Sequence, residues 1–264
     1  MSQLSDALLD GKVVLVSGGT QGLGAAVAAA AVRNGADVVV TGRRTDVGER
    51  FAAELAERSG RQVVYVQADT GDVGQNQAAV AATIDCLGRI DCVVNCAGLT
   101  DRGTMLDTTP ELFDAHIAIN LRGPFFLMQA AIKDMVARGD GGSIVNIITM
   151  SAHGGQPYLA PYVASKSGLI GLTRNAAFAH RWDRIRINGV NIGWTETEGE
   201  DLTQRRFHDA DDDWLEKAAA RQPMGKLGQA DQIADFVVFL LSARSGVVTG
   251  SVIDWDQNIP GAHE

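Results

Sequence analysis

The sequence predicts an α/β fold in one domain, a doubly wound parallel sheet with helices on both faces. Three observations predict it. Short β-branched runs alternate with longer Ala-rich amphipathic segments along the whole chain. The runs are nearly continuous in Val and Ile instead of alternating apolar with polar, as expected of parallel strands covered on both faces. No Pro/Gly/Ser linker, internal repeat or low-complexity stretch divides the 264 residues into separate units.

In chain order, strands are expected at 12–17, 37–41, 62–67, 91–95, 143–147, 184–191 and 251–255. The segments 22–34, 46–59, 73–88 and 161–182 are long and amphipathic enough to be crossover helices. Segment 193–228 follows a late strand and fits neither a strand nor a helix rhythm. An excursion there lies over the carboxyl ends of the strands, where open parallel sheets bind ligands, so it is the candidate substrate lid.

The 45% hydrophobic content is that of a globular chain with a sizeable core, and the formal charge of -9 argues against a nucleic-acid partner. Basic residues occur only in short groups such as Arg43-Arg44 and Arg205-Arg206. Cys86, Cys92 and Cys96 show no metal-ligand spacing, and an odd number in one region suits a reducing compartment; the cytoplasm is expected. The first ten residues lack a basic stretch followed by an apolar one, and no run approaches the roughly 18 apolar residues of a membrane span.

Two motifs carry chemistry. Gly18-Gly19-Thr20-Gln21-Gly22-Leu23-Gly24 links the first strand to the first helix, and glycines there let the backbone turn tightly and approach a pyrophosphate at the helix N-terminus. By itself such a loop is weak, since a chain with 30 glycines makes glycine-rich turns by chance. Tyr162 and Lys166 stand four residues apart, just inside a helix opened by Pro161, and so share a face. An ammonium beside a phenol favours the phenolate, which would fit Tyr162 for general acid/base work. The plainer alternative is a surface tyrosine beside an unrelated lysine.

Together these residues resemble the short-chain dehydrogenase/reductase family, from Lys12 to Gln257. The glycine loop is similar to that family's T-G-x-x-x-G-x-G, with Ser17 for the leading Thr. Asn95-Cys96-Ala97-Gly98 resembles N-N-A-G with Cys96 in place of the second Asn, and Asp69, followed by Thr70, matches the acidic residue set against adenine. Asn120 in Asn120-Leu121-Arg122-Gly123 falls where the family has a helix-kinking asparagine, and Tyr162-x-x-x-Lys166 completes the order. The resemblance implies a Rossmann-type fold with a cofactor-binding half at 12–98 and a catalytic half at 99–257. It implies an NAD(P)-dependent interconversion of a secondary alcohol and a carbonyl. Tyr162 would be the acid/base, Lys166 would hold the ribose and the Tyr pKa, and Asn120 would order a relay water. Gly18, Thr20, Gln21, Gly22, Leu23, Gly24, Asn95, Ala97, Gly98, Gly193, Thr195 and Thr197 would contact the cofactor. A homotetramer is also implied, and small residues Ala164, Ser165, Ser167, Gly168 and Gly171 would let a second helix approach.

Two departures stand out. The family's serine, thirteen residues before the tyrosine, is Thr149 here, with Ser151 as the alternative hydroxyl; Ile192-Gly193 replaces the usual Pro-Gly. At the end of the second strand, Gly42 occupies the seat of the acidic residue that excludes a ribose 2′-phosphate, and Arg43 and Arg44 follow. NADP(H) is therefore expected over NAD(H). Against this, the glycine loop carries no basic residue.

His116, His153, His180, His208 and His263 lack metal-ligand spacing and read as structural or surface residues, with His153 nearest the expected site; no metal is expected. Asp209, Asp211, Asp212 and Asp213 read as the acidic start of a helix before a cation site. Trp194 and Trp214 either line a substrate pocket or close over the core. A cofactor-binding regulator or scaffold without turnover, and an isomerase or dehydratase on the same fold, are the alternative functions. Tyr162, Lys166 and Asn120 favour the enzyme, whereas Thr149 and Ile192 are what the rival has.

Overall fold

The computed structural model describes residues 7–261, so His263 lies outside the described residues. Strand β1 (Val13–Ser17) is apolar up to its last residue and wholly buried. It leads through the glycine loop into α1 (Gly22–Arg33), β2 (Asp37–Gly42), α2 (Thr45–Ser59), β3 (Val63–Gln67), α3 (Val73–Leu87) and β4 (Cys92–Asn95). Then follow α4 (Pro110–Ile117), a π-helical turn at Ala118–Arg122, α5 (Gly123–Arg138), β5 (Gly142–Ile147), α6 (Ala160–His180) and β6 (Ile185–Ile192). The chain closes with the two-residue β7 (Thr195–Glu196), α7 (Glu198–Phe207), α8 (Trp214–Ala219), the two-residue β8 (Gly228–Gln229), α9 (Ala230–Leu241) and β9 (Val252–Trp255).

Seven strands form one parallel sheet in the order β3-β2-β1-β4-β5-β6-β9. The apolar runs explain why both faces are covered. Val14, Val16, Val38, Val40, Val94 and Val145 point to one side with residues of α1, α2 and α9. Leu15, Val39, Val93, Ile144 and Ile187 point to the other, with α3, α5 and α6. Alternate side chains of a strand take opposite faces, so a continuous Val/Ile run is what a two-sided sheet requires. The order reverses between β1 and β4, which opens the crevice at the carboxyl ends where the glycine loop lies.

Segment 193–228 departs from expectation. It holds α7, α8 and a short parallel pair between β7 and β8. Helix α7 is Glu-, Asp- and Arg-rich and buries no residue, so it has no apolar stripe to read; six-residue α8 is too short for one. The small residues of α6 are partly consumed inside the chain. Ser165 donates to the Tyr162 carbonyl and accepts from Asn120. A Cβ at Gly168 would meet Leu121 at 2.9 Å. Ala164 is exposed, and Gly171 faces open space.

Asp91, just before β4, ties three elements together below the sheet. Its Oδ2 accepts from the Val13 amide at 3.0 Å, and its Oδ1 meets Arg89 at 2.5 Å, Lys12 at 3.8 Å and Arg138 at 3.9 Å. Asp91→Ala leaves a buried amide and a half-buried Arg138 without this acceptor. The expected loss is about 3 kcal/mol, the low end for breaking a buried ion pair, because Arg89 reaches solvent. Denaturant unfolding measures it; a loss within experimental error would remove Asp91 as the tie.

Candidate active site

The glycine loop is built by close approach. Gly18 has φ +68°, and a Cβ there would stand 2.8 Å from the Ala97 backbone. A Cβ at Gly24 would overlap the Gly18 carbonyl oxygen. Only residues without side chains let β1, the turn and α1 close this tightly. Gln21, the N-cap of α1, makes no side-chain cap bond, so the first amides of the helix are left for another acceptor. Gly22 faces open space except for Thr197, whose side chain would lie 3.9 Å from a Cβ there.

Thr20, Gln21 and Gly22 line a hollow with Arg44, Arg50 and Glu198. Arg44 donates to Gln21 Oε1. A side chain at Gly42 would meet Thr20 Oγ1 at 2.8 Å, so Thr20 would have to shift to admit one, and Gly42 itself offers no carboxylate. Arg43, expected to contact the cofactor, is exposed and does not line this hollow. Arg50, one turn into α2, takes a place there that nothing in the sequence marks. Asp69 receives the Gly71 amide, and Thr70 shares a 3.2 Å hydrogen bond with Ser17. Asn95 is buried and donates to Asn146, which donates to Thr173 at 2.8 Å; the Asn95 Oδ1 has no partner.

A cavity of about 860 Å³ opens beyond the loop, lined by Leu23, Gly98, Thr149, Tyr162, Lys166 and residues of the 193–208 segment. Tyr162 and Lys166 sit one turn apart on α6, both buried, as their spacing requires. Burial pushes the Tyr162 phenol up to about 12, opposed by a hydrogen bond with Thr149; Glu200 raises it further and Arg102 lowers it. Lys166 stays close to the phenol but bonds to the backbone. Its Nζ lies 5.9 Å from the Tyr162 ring centroid and donates at 2.8 Å to the Ile147 carbonyl at the end of β5. Burial lowers the Lys166 pKa to about 8. Burial also pushes the Cys96 thiol up to about 12, with Lys166 opposing.

Asn120 lies in the π-helical turn and is fully buried. Its Nδ2 donates to the Leu99 carbonyl at 2.9 Å and to Ser165 Oγ at 3.1 Å, while Oδ1 accepts from the Leu99 amide at 2.8 Å. The side chain is a clamp on the strand-end loop, with both donors committed. A Cβ on Gly98 would come within 3.7 Å of Asn120 Oδ1 and 3.8 Å of Lys166 Nζ, so the glycine keeps a gap open between them. Thr149 is buried and donates to Ser151 at 3.3 Å, and Ser151 donates to Gln156. The two hydroxyls are therefore linked, and both line the cavity with Tyr162.

Gly193 packs against the Asp256 carboxylate, Thr195 is buried and donates to the Gly193 carbonyl, and Thr197 caps α7 by accepting from the Glu200 amide. Trp194 lines the cavity, and its Nε1 donates to Glu200 at 2.7 Å. Trp214 is instead buried in a small cluster with Ala218 and Leu227 and donates to Asp201. Asp211 and Asp213 both hold Lys217, and Asp212 holds Arg205, as acidic residues around a helix start would. His153 lines the cavity on Asp254. His116 is buried with its ring edge-on to Tyr162 at 6.2 Å. Arg102, Tyr158, Glu200 and His208 also line the cavity without any mark in the sequence. Arg102 and His208 meet from 106 residues apart, a separation with no local signal.

A family model described as enoyl-(acyl carrier protein) reductase matches residues 18–257. L-rhamnose 1-dehydrogenase (NAD(P)(+)) of Sphingomonas sp. (strain SKA58) is 34% identical over 248 residues, covering 93% of this chain and 95% of that protein. Sorbitol dehydrogenase of Cereibacter sphaeroides is 29% identical over 252 residues, 94% of this chain and 97% of its own. The crystal structure of L-sorbose reductase from Gluconobacter frateurii, complexed with NADPH and L-sorbose, superposes with a TM-score of 0.92 at 25% identity, covering 98% of this chain and 100% of that one. With its seven-stranded parallel sheet, glycine loop and Tyr162-x-x-x-Lys166 helix, the chain belongs to the short-chain dehydrogenase/reductase family.

Proposed function

We propose that this chain is an NAD(P)-dependent oxidoreductase that interconverts a secondary alcohol and a ketone, with Tyr162 as general acid/base. The observation that carries the reading is the buried Tyr162 side chain beside Thr149, both lining a cavity that reaches the glycine loop at Leu23. The site fits a dinucleotide. The Gly18–Gly24 turn offers bare backbone and uncapped helix amides to a pyrophosphate, and Lys166 and the Gly98 gap lie further along the same cavity. Ala97 packs against Gly18, Thr70 bonds to Ser17 just before the loop and Thr197 stands near Gly22, and Asp69, Asn95, Gly193 and Thr195 are proposed with them as cofactor contacts. When bound, the nicotinamide supplies or accepts the hydride.

In reduction, the protonated Tyr162 hydroxyl gives its proton to the carbonyl oxygen, and Thr149, turning its hydroxyl proton from Ser151, donates a second hydrogen bond to the same oxygen. A phenol pushed up to about 12 holds its proton through neutral pH, so the resting site is ready for reduction. For oxidation the phenol must first lose that proton. Lys166, with its ammonium fixed at the Ile147 carbonyl, is the positive group available to the resulting phenolate. Asn120 fixes the Leu99 loop and Ser165, and through them the α6 turn that carries Tyr162.

NADP(H) is the proposed preference. Gly42 offers no carboxylate, and Arg44 and Arg50 stand in the hollow beside it, with Glu198 as the opposing charge. The three unpaired cysteines suit the cytoplasm proposed for it. A homotetramer is proposed from the stripe of Ala164, Gly171 and Phe178 along α6, all three exposed; light scattering that reads the mass of a single chain would remove it.

Tyr162→Phe is expected to lower kcat by roughly 10²–10⁴-fold while cofactor affinity by fluorescence titration stays unchanged. Thr149→Ser should retain activity and Thr149→Val should lose about tenfold or more, because valine keeps the shape without the donor. A harmless Thr149→Val with a crippling Ser151→Ala would move the role to Ser151.

Arg44→Ala should cost about tenfold or more in kcat/KM with NADPH and little with NADH, given the usual strength of a charge-assisted contact. Arg43→Ala serves as the comparison and should change neither. A wild type that prefers NADH would defeat the assignment.

A further inference from the structure

We propose that the substrate carries a carboxylate and that Arg102 is the residue that binds it; this rests on the oxidoreductase reading of the same cavity. Arg102 is half-buried in the loop between β4 and α4 and lines the cavity that holds Tyr162. Its guanidinium is braced on three sides. Nη1 donates to the Thr100 carbonyl at 2.7 Å, and Nη2 and Nε face His208 Nε2 at 3.1 and 3.4 Å. The guanidinium carbon lies 5.5 Å from the Tyr158 ring centroid and 5.7 Å from that of Phe207. Tyr158 and His208 are themselves edge-to-face at 5.4 Å. An arginine donates only, so His208 Nε2 must be the acceptor here and its ring proton must sit on Nδ1.

A guanidinium has five N–H groups, and these contacts engage at most three. What remains is a preset donor edge, and no carboxylate among the described residues lies within ion-pair distance of it. The neighbouring acids are committed elsewhere. Asp101 pairs with Arg206 at 3.8 Å, Glu200 accepts from Trp194 and Gln204, Asp201 holds Arg205 and Trp214, and Asp256 accepts from Asn258. A partly desolvated cation facing a cavity without a counter-charge is costly, and an incoming anion relieves that cost. Arg102 and Tyr162 line the same cavity, so a molecule bound at the guanidinium lies in the space onto which the reacting hydroxyl opens.

The planar donor edge matches a carboxylate, and one cation suits a monoanion better than a phosphate dianion, which the nearby Glu200 charge would also disfavour. Ser151, Gln156, Thr203 and Gln204 also line the cavity and offer hydroxyl-binding partners. The class expected is therefore an oxo- or hydroxy-monocarboxylate with further hydroxyl groups.

The test pairs each of a panel of short oxo- and hydroxy-carboxylates with its own primary amide. Binding is measured by calorimetry and turnover by cofactor absorbance, for the wild type, Arg102→Gln and Arg102→Lys. The expected result is that the best carboxylate binds at least about tenfold more tightly than its amide. Arg102→Gln should erase that gap and raise KM for the carboxylate, while Arg102→Lys, with charge but no planar fork, falls between. Carboxylates that bind no better than their amides, or an Arg102→Gln loss equal for both, would overturn the proposal. If nothing is turned over but carboxylate binding still depends on Arg102, the oxidoreductase reading falls and the anion site stands. If only neutral carbonyls are turned over, the anion site falls and the oxidoreductase reading stands.

Discussion

The interaction on which the site depends is the hydrogen bond from Lys166 Nζ to the Ile147 carbonyl. An ammonium that is only 4% exposed must have a partner or give up its charge. The partner here is the last residue of β5, so the bond fixes how far along the sheet α6 sits. Once α6 is placed, Tyr162 falls one turn earlier beside Thr149, and Ser165 falls against Asn120. Asn120 in turn holds Leu99 by both its amide and its carbonyl. Sheet edge, helix, π-helical turn and strand-end loop are thus coupled through side chains that have no freedom to rearrange singly. The buried Asn95–Asn146–Thr173 chain does the same one layer deeper.

Most of the fold was legible because its signal is burial. Strands buried on both faces must be apolar at successive positions, and their ends fall within one residue of where the Val and Ile runs stop. The shared face of Tyr162 and Lys166 was legible from helical spacing, whereas Thr149 was singled out only by the resemblance to the family, whose serine stands thirteen residues before the tyrosine. What failed to show was whatever depends on rotamers or on contacts far apart in sequence. The spacing places Lys166 beside Tyr162, but nothing local shows the bond from its ammonium to the Ile147 carbonyl. Ser165 and Gly168 looked available to a second chain, yet they are spent against Asn120 and Leu121. Arg50 joins the Arg44 hollow only because α2 turns it there.

The candidate lid illustrates a different limit. Helix α7 buries nothing, so its position is set by polar bonds at its first turns, where successive acids Glu200 and Asp201 take the indole N–H groups of Trp194 and Trp214. One indole faces the cavity and the other the small core under α8, so the helix is held between a wet side and a dry side. Few apolar contacts and many polar ones describe a segment that opens at lower cost than the sheet beneath it. That is what a cover over a ligand cavity needs.

The π-helical turn at Ala118–Arg122 has a consequence for how such a site can arise. An α-helix advances by about 100° per residue, so one additional residue swings everything after it around the axis by that amount. Here the surplus residue lets Asn120 face inward to Leu99 while α5 still lays Leu127, Met128 and Ala131 against the sheet. Remove one position from the turn and the helix would heal into a regular one, with either the asparagine or the whole apolar stripe aimed wrongly. The site is thus protected by a count of residues as well as by their identity. A lineage can exchange many side chains in this stretch, but it can scarcely tolerate a single-codon deletion.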